Sequence, residues 1–231
     1  FLPHRPHDPP ERLLEKYLAP DRPKEIAAYY AMCEWFDETV GQLVGYLDEN
    51  GLRDNTIILF LTDNGWIQPL RSSEDFRTPF GGARGKRSPY DGGLRTPFIV
   101  NYPGKVEARI DATPVSSVDI APTIAAAAGV ERAEAWPGVN LMDRDAVTAR
   151  KAIFGAIYSH DAVDITRPET SLQYRWVIED NWKLIQPRDA SAPVELYKIL
   201  NDPFEKTNRA EDTPERVRIL RQILDAWWTP N

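Results

Sequence analysis

Apolar residues fall into a regular rhythm after residue 23. Ile26, Tyr29, Cys33, Phe36, Val40, Leu43, Val44 and Leu47 recur at steps of three and four. That is the period of a helix with one apolar stripe, and it predicts a helix from about Lys24 to Asn50 with Gly51 as its stop. Before it, Pro3, Pro6, Pro9, Pro10, Pro20 and Pro23 prevent long regular elements. After it, "TIILFLTDNG" (56–65) runs apolar from Ile57 to Leu61 and then stops on three polar or small residues. The unbroken run suits a strand buried on both faces of a parallel sheet. "TPFIVNYPG" (96–104) reads as a second buried strand. "SSVDIAPTIAAAAGV" (116–130) reads as a helix, with Ser117 or Asp119 as its cap and Gly129 at its end.

Residues 66–92 hold Gly, Pro, Ser and Arg without periodicity and read as a long loop, a length often associated with function. From about Lys151 the pattern changes to short strand-like runs: "AIFGAIY", "YRWVIED" and "WKLIQ". The last two are parted by "DN", as in a tight hairpin. A closing helix is predicted from about Pro214 to Trp228, with Val217, Leu220, Ile223, Leu224 and Trp227 on one face. Strand and helix alternate up to about residue 130, which indicates an α/β fold, and the remainder indicates a small antiparallel sheet with a helix.

Composition narrows the functional classes. The 231 residues are 42% hydrophobic and 27% charged, ordinary values for a globular chain. Lys and Arg number 28 against 35 Asp and Glu, a net charge of -7, and no basic run stands out, so nucleic acid is not an expected partner. Any anion site must therefore be locally basic. A single cysteine, Cys33, excludes an internal disulfide. No stretch of 18 apolar residues is present, so no transmembrane helix is expected. The opening "FLPHRPHDPP" carries neither an initiator Met nor a signal-peptide pattern and reads as the middle of a longer sequence.

Several segments carry chemistry. Asp63 and Asn64 follow the carboxyl end of the first strand, where ligands collect in open α/β sheets. Two adjacent oxygen donors suit a hard divalent cation, although "DNG" also makes an ordinary tight turn, and two ligands need others from elsewhere. "GGARGKRSPYDGGLRTP" sets Arg84, Lys86, Arg87 and Arg95 among glycines, which suits an oxyanion or else a solvated loop. It is not a phosphate loop of the GxxxxGK[ST] kind, since Arg87 follows Lys86. "PHRPHDPP" holds His4 and His7, and prolines on either side of His4 stiffen its backbone. His160 and Asp161 follow the strand "AIFGAIYS", where a cleft residue and a plain loop are both open readings. Cys33 lies on the apolar face of the long helix and reads as core.

Taken in order, "LPHRPHDPPE", "YYAMCEWFDETVGQLVGYLDENGLRDNTIILFLTDNG", "GKRSPYDGGLRTPFIV", "SSVDIAPTIAAAAG" and "WKLI…ELYKILNDPFEKTN" closely resemble the later half of the type I sulfatases, in the alkaline phosphatase-like superfamily. The resemblance implies an alkaline phosphatase-like α/β sandwich with a mostly parallel central sheet over residues 1–148. It implies a small C-terminal α+β subdomain over 149–231. It also implies that Asp63 and Asn64 ligate a divalent cation, Ca²⁺ or alternatively Mg²⁺. Lys86, five residues before Asp91 (which stands where the family usually has Glu), would contact the sulfate, and His4 the sulfate and ester oxygen. His160, Asp161 and Arg95 are assigned to substrate binding, with a sulfated small molecule or carbohydrate as the substrate.

The family's nucleophile is a formylglycine made from the Cys of a C-x-P-x-R element. No such element occurs here, and Cys33 is followed by Glu34-Trp35-Phe36-Asp37. The chain is therefore expected to be the C-terminal portion of a sulfatase, to depend on an N-terminal half for the formylglycine, and to be inactive alone. A periplasmic or secreted location goes with the family. Two other readings stay open: a phosphoesterase of the same superfamily, and a non-catalytic module that binds sulfated glycans.

Overall fold

The computed structural model of the protein describes residues 2–65 and 84–230. The part of the long loop over residues 66–83 lies outside the described residues. The chain divides into two compact units: Phe1–Ile58 with Asn101–Glu107, and Leu59–Val100 with Ala108–Asn231.

In the first unit, proline sets where helices begin. Pro10 and Pro23 stand at the N-caps of α1 (Glu11–Tyr17) and α2 (Lys24–Glu49), where a missing N–H costs nothing. Helix α2 has the predicted bounds, and Gly51 follows it with φ +65°. The two helices pack together, with Leu13 of α1 fully buried. On α2, Ile26, Ala27, Ala28, Ala31 and Met32 are buried, and the small alanines permit close approach. Arg12–Glu38 and Lys16–Glu34 ion pairs bridge α1 and α2 on the surface, where such pairs contribute little. The apolar stripe of α2 is buried only in its first half, since Leu43 and Tyr46 are exposed. Cys33 is half-buried, and burial pushes its thiol above the usual range, against a hydrogen bond from Tyr29.

A two-stranded pairing, most of it in the second unit, comes next in the chain. Strand β1 (Ile58–Leu61) pairs with β2 (Phe98–Asn101) in a two-stranded sheet, with the short helix α3 (Asp91–Leu94) just before β2. All four β1 residues are half-buried rather than buried on both faces, because β2 is the one neighbouring strand among the described residues. Helix α4 (Ile120–Ala127) is entered through a 3-10 turn, Ser117–Asp119; Asp119, one of the two expected caps, stands at the N-cap position of α4, and Ser116 caps the 3-10 turn before it. Asp119 closes a capping box by accepting from the Ser116 N–H at 2.8 Å. Its fully buried carboxylate also accepts from Val139 N at 2.9 Å and Arg150 Nη1 at 2.6 Å, so every side of it is occupied by structural partners. A short helix not expected from the pattern, α5 (Arg144–Ala149), follows.

Strands β3 (Ala152–Tyr158), β4 (Leu172–Glu179), β5 (Trp182–Pro187) and β6 (Glu195–Lys198) form an antiparallel sheet in the order β3-β4-β5-β6. The β4–β5 hairpin turns at Asp180-Asn181 as predicted, with Asp180 at φ +52°. Strand β6 is an addition, since "ELYK" is too short for a periodic signal. Alternation along the strands gives the sheet two different faces. Val177, Leu184 and Leu196 point to one face and pack under Val217, Leu220 and Leu224 of α6 (Pro214–Trp227). Trp176, Ile185 and Tyr197 point to the other and pack with Tyr90 and Leu94. The small antiparallel sheet with its helix is thus as expected. Among the described residues the α/β part shows two paired strands and not a full parallel sheet.

Two outcomes follow. Leu220→Ala removes fully buried bulk between α6 and the sheet and should lower stability by about 2–5 kcal/mol in urea unfolding; an unchanged midpoint would contradict the packing. Cys33 should alkylate at pH 8 at least about threefold more slowly than free glutathione, since both burial and a raised pKa withhold the thiolate. Alkylation as fast as glutathione would show a reactive thiol.

Candidate functional site

Three short segments of the second unit meet backbone to backbone. The first is the Asp63–Gly65 bend at the end of β1. The second is the Gly85–Ser88 turn, which bears Lys86, and the third is Asp91–Gly93, opening α3. Gly65 N–H donates to the Gly93 carbonyl at 2.9 Å. A Cβ at Gly65 would lie 2.1 Å from the Gly92 carbonyl oxygen, and one at Gly93 would lie 2.4 Å from the Gly85 oxygen. Both clashes are with backbone, which cannot swing aside, so glycine is required for the contact itself. The Gly85–Ser88 turn is closed by Ser88, whose N–H and hydroxyl both donate to the Gly85 carbonyl, at 3.1 and 2.6 Å. Arg87 adopts φ +72° beside Lys86, a conformation rarely held without support from the surroundings.

The structure therefore brings Asp63, Asn64 and Lys86 onto turns that abut the same glycine pair. Asn64 Nδ2 donates to the Gly65 carbonyl at 3.0 Å, and Thr62 Oγ1 donates to the Asn64 carbonyl at 3.2 Å. These bonds leave Asn64 Oδ1 and the exposed Asp63 carboxylate without a hydrogen-bond or ion-pair partner among the described residues. Two unpartnered oxygen donors on consecutive residues fit a hard cation. Among the described residues no three His, Cys, Asp or Glu side chains gather to complete such a site.

The other expected residues are placed as follows. His4, in the first unit, is exposed, and its Nδ1 lies 2.7 Å from the Arg5 carbonyl. A carbonyl only accepts, so Nδ1 carries a proton and Nε2 is the nitrogen open to a ligand. His7 is half-buried against Tyr29, with ring centroids 5.6 Å apart, and burial lowers its pKa. Arg95 is exposed, 4.0 Å from the Asp91 carboxylate. His160 and Asp161 are exposed just beyond β3, where Ser159 Oγ donates to the Asp161 carbonyl at 2.8 Å.

Beneath this surface lies a buried charge cluster that sequence reasoning missed. Lys183 of β5 is fully buried, with Nζ 2.8 Å from Asp91 Oδ1 and 2.7 Å from Glu205 Oε1. Glu205 Oε2 accepts from the Asp91 N–H at 2.7 Å. Glu205 is 2% exposed and sits at φ +52°, and burial pushes its carboxyl above the usual range against the pull of Lys183. Arg84 adds a further tie, donating from Nη1 to the Phe204 and Glu205 carbonyls and stacking 4.3 Å over Tyr90. The Tyr90 hydroxyl donates to Glu195 at 2.8 Å, and the neighbouring Tyr197 hydroxyl donates to the same carboxylate. Burial and that carboxylate raise both phenols well above their ordinary pKa. In sequence Lys183 shares a strand face with Ile185, but a lone lysine in a strand is ordinarily solvated and gave no sign of this burial.

Comparison with known proteins agrees with this architecture. The model for sulfatases matches residues 2–130, and that for the C-terminal part of N-sulphoglucosamine sulphohydrolase matches residues 82–226. The chain is 32% identical over 212 residues to an N-acetylgalactosamine-6-O-sulfatase of Bacteroides thetaiotaomicron, covering 82% of this chain and 40% of that protein. It superposes on the crystal structure of Ps i-CgsB with a TM-score of 0.76 at 24% identity, covering 97% of this chain and 48% of that one. A structure solved in complex with its substrate D-glucosamine-2-N,6-O-disulfate gives a TM-score of 0.65 at 25% identity, covering 88% and 40%. The chain thus spans about two fifths of the curated relative and somewhat less than half of the Ps i-CgsB chain. With these matches in hand, the chain belongs to the sulfatase family.

Proposed function

We propose that the chain is the C-terminal portion of a sulfatase that hydrolyses sulfate esters of carbohydrates. The observation that carries this is the contact of the Asp63–Gly65 bend and the Lys86 turn with one glycine pair. It sets a prospective cation site and the Lys86 turn on neighbouring backbone. The carbohydrate substrate class is supported by relatives whose names specify sulfated sugars.

In this reading Asp63 and Asn64 offer their free oxygens to Ca²⁺, with Mg²⁺ as the alternative. When bound, the cation supplies positive charge that polarises the sulfate group. Lys86 places its ammonium against the sulfate oxygens, where charge grows during transfer. By the family resemblance His4 is assigned to contact the sulfate and the ester oxygen. Arg95, His160 and Asp161 bind the sugar. The 231 residues contain no Cys-x-Pro-x-Arg element, so the formylglycine nucleophile and the remaining cation ligands come from a preceding half. The chain alone does not turn over.

Three measurements test this reading. The isolated chain with added Ca²⁺ should not cleave an aryl sulfate, and turnover by it would overturn the division of labour. In the enzyme complete with a formylglycine half, Lys86→Ala and Asp63→Ala should each lower kcat/KM on a sulfated sugar by about 100-fold or more, and wild-type rates in either would refute the assignment. His160→Ala should raise KM on a sulfated oligosaccharide with kcat held, the signature of lost ground-state binding. An unchanged KM would remove His160 from the sugar site.

A further inference from the structure

We infer that the Asp91–Lys183–Glu205 triad is a positioning device through which the four-stranded sheet sets the spacing of the Asp63–Gly65 bend and the Lys86 turn. The inference rests on the proposed function for its catalytic consequence, but its geometry stands apart from it. Asp91 is the residue through which force can pass. Its carboxylate is held by Lys183 at 2.8 Å and its N–H by Glu205 at 2.7 Å. Its own carbonyl accepts from Arg95 N–H at 2.8 Å, closing the first turn of α3. Gly92 and Gly93 follow directly, and they are the glycines against which the Asp63–Gly65 bend and the Lys86 turn rest. The chain of contact runs from β5, through one buried ammonium, to the backbone that separates the two turns.

The lever is stiff at every link. Lys183 and Glu205 are buried in the C-terminal sheet and the loop after β6, on the sheet face that packs Tyr90 and Leu94. Arg84, at the other end of the Lys86 turn, is bonded to the Phe204 and Glu205 carbonyls of the same loop. The segment from Arg84 to Asp91 is thus pinned at both ends to one loop, with Lys86 between the pins. None of Asp91, Lys183 and Glu205 is required to touch substrate. Their contribution is that Lys86 and the Asp63–Asn64 donors face the anion at a constant separation.

The test compares Lys183→Met with Val177→Ala, which thins the opposite face of the same sheet without touching the triad. In the 231-residue chain, amide exchange of Gly65 and acylation of Lys86 by an activated ester are measured on both variants, together with their melting temperatures. In the complete enzyme, kcat and KM are measured on a sulfated sugar. Lys183→Met should speed Gly65 exchange and change Lys86 acylation by about tenfold or more, and lower kcat at least tenfold. Val177→Ala, at a comparable loss of melting temperature, should leave all three near wild type. Equal effects of the two variants would overturn the inference and leave the triad a plain stability element. If Lys183→Met does not fold, Glu205→Gln, which retains the Lys183–Asp91 pair, takes its place. It should give the same pattern at about threefold, and a wild-type exchange rate in it would also overturn the proposal. Should the complete enzyme show no sulfatase activity while Gly65 exchange and Lys86 acylation respond as stated, the functional reading fails and the positioning device stands.

Discussion

A lysine ammonium with no access to water imposes the strictest demand on this structure. Lys183 is fully buried, and an isolated charge in such surroundings is not tolerated unless it is paired and hydrogen-bonded. Two carboxylates meet that demand, one from the segment that opens α3 and one from the loop after β6. Neither is local to Lys183: Asp91 and Lys183 are 92 positions apart. The cluster can therefore exist only when the α3 segment is seated on the four-stranded sheet. Removing one member of such a set costs about 3–5 kcal/mol, because the surviving charges stay buried without a counter-ion. A hydrophobic trio of similar shape would hold the parts together equally well. The charged trio ties Lys183 to two particular carboxylates, Asp91 and Glu205.

The same sheet serves two purposes because its strands alternate. One face is a plain apolar contact with α6, built of Val, Leu and Ile. The other mixes Trp176, Ile185 and Tyr197 with Lys183 and Glu195, and it receives Tyr90 and Leu94. Stability is concentrated on the first face and precision on the second. Two tyrosine hydroxyls converge on Glu195 and Arg84 lies over Tyr90, so these polar groups find partners on that face, whereas the buried Trp176 Nε1 has none among the described residues.

Long, periodic elements were legible from residues alone: α2 to within a residue, the β4–β5 hairpin at its dipeptide, and α6 at both ends. Short elements were not. Strand β6 has four residues and α5 has six, too few for a period to rise above chance. Asp119, one of the two caps expected for α4, holds that position, but the 3-10 turn before it and its own cap, Ser116, were not foreseen, because a three-residue turn leaves no period to read. Asp63, Asn64 and Lys86 were identified as candidates beforehand, but not that their turns rest on one glycine pair. Glycine carries no side-chain pattern to read, and the contact is between residues far apart in the chain. Lys183 and Glu205 escaped for a related reason: a charged residue in a strand or loop is ordinarily solvated, and only the fold shows these two are not.

The "DNG" segment admits two readings in sequence, a simple turn and a cation site, and the coordinates narrow the gap between them. A turn that serves connection alone needs a glycine for its dihedral angles and tolerates open space around it. Gly65 has no positive φ among the described values, yet a Cβ there would strike the Gly92 carbonyl at 2.1 Å. The glycine is therefore present for proximity. Close approach of backbone to backbone also gives the bend a hydrogen bond, from Gly65 N–H to the Gly93 carbonyl at 2.9 Å. It matters further if the side chains carried on the two backbones must act on one small anion, where an ångström of separation changes the charge stabilisation they supply. Glycine on both sides holds the two backbones in contact, and it is this contact on which the proposed anion site rests.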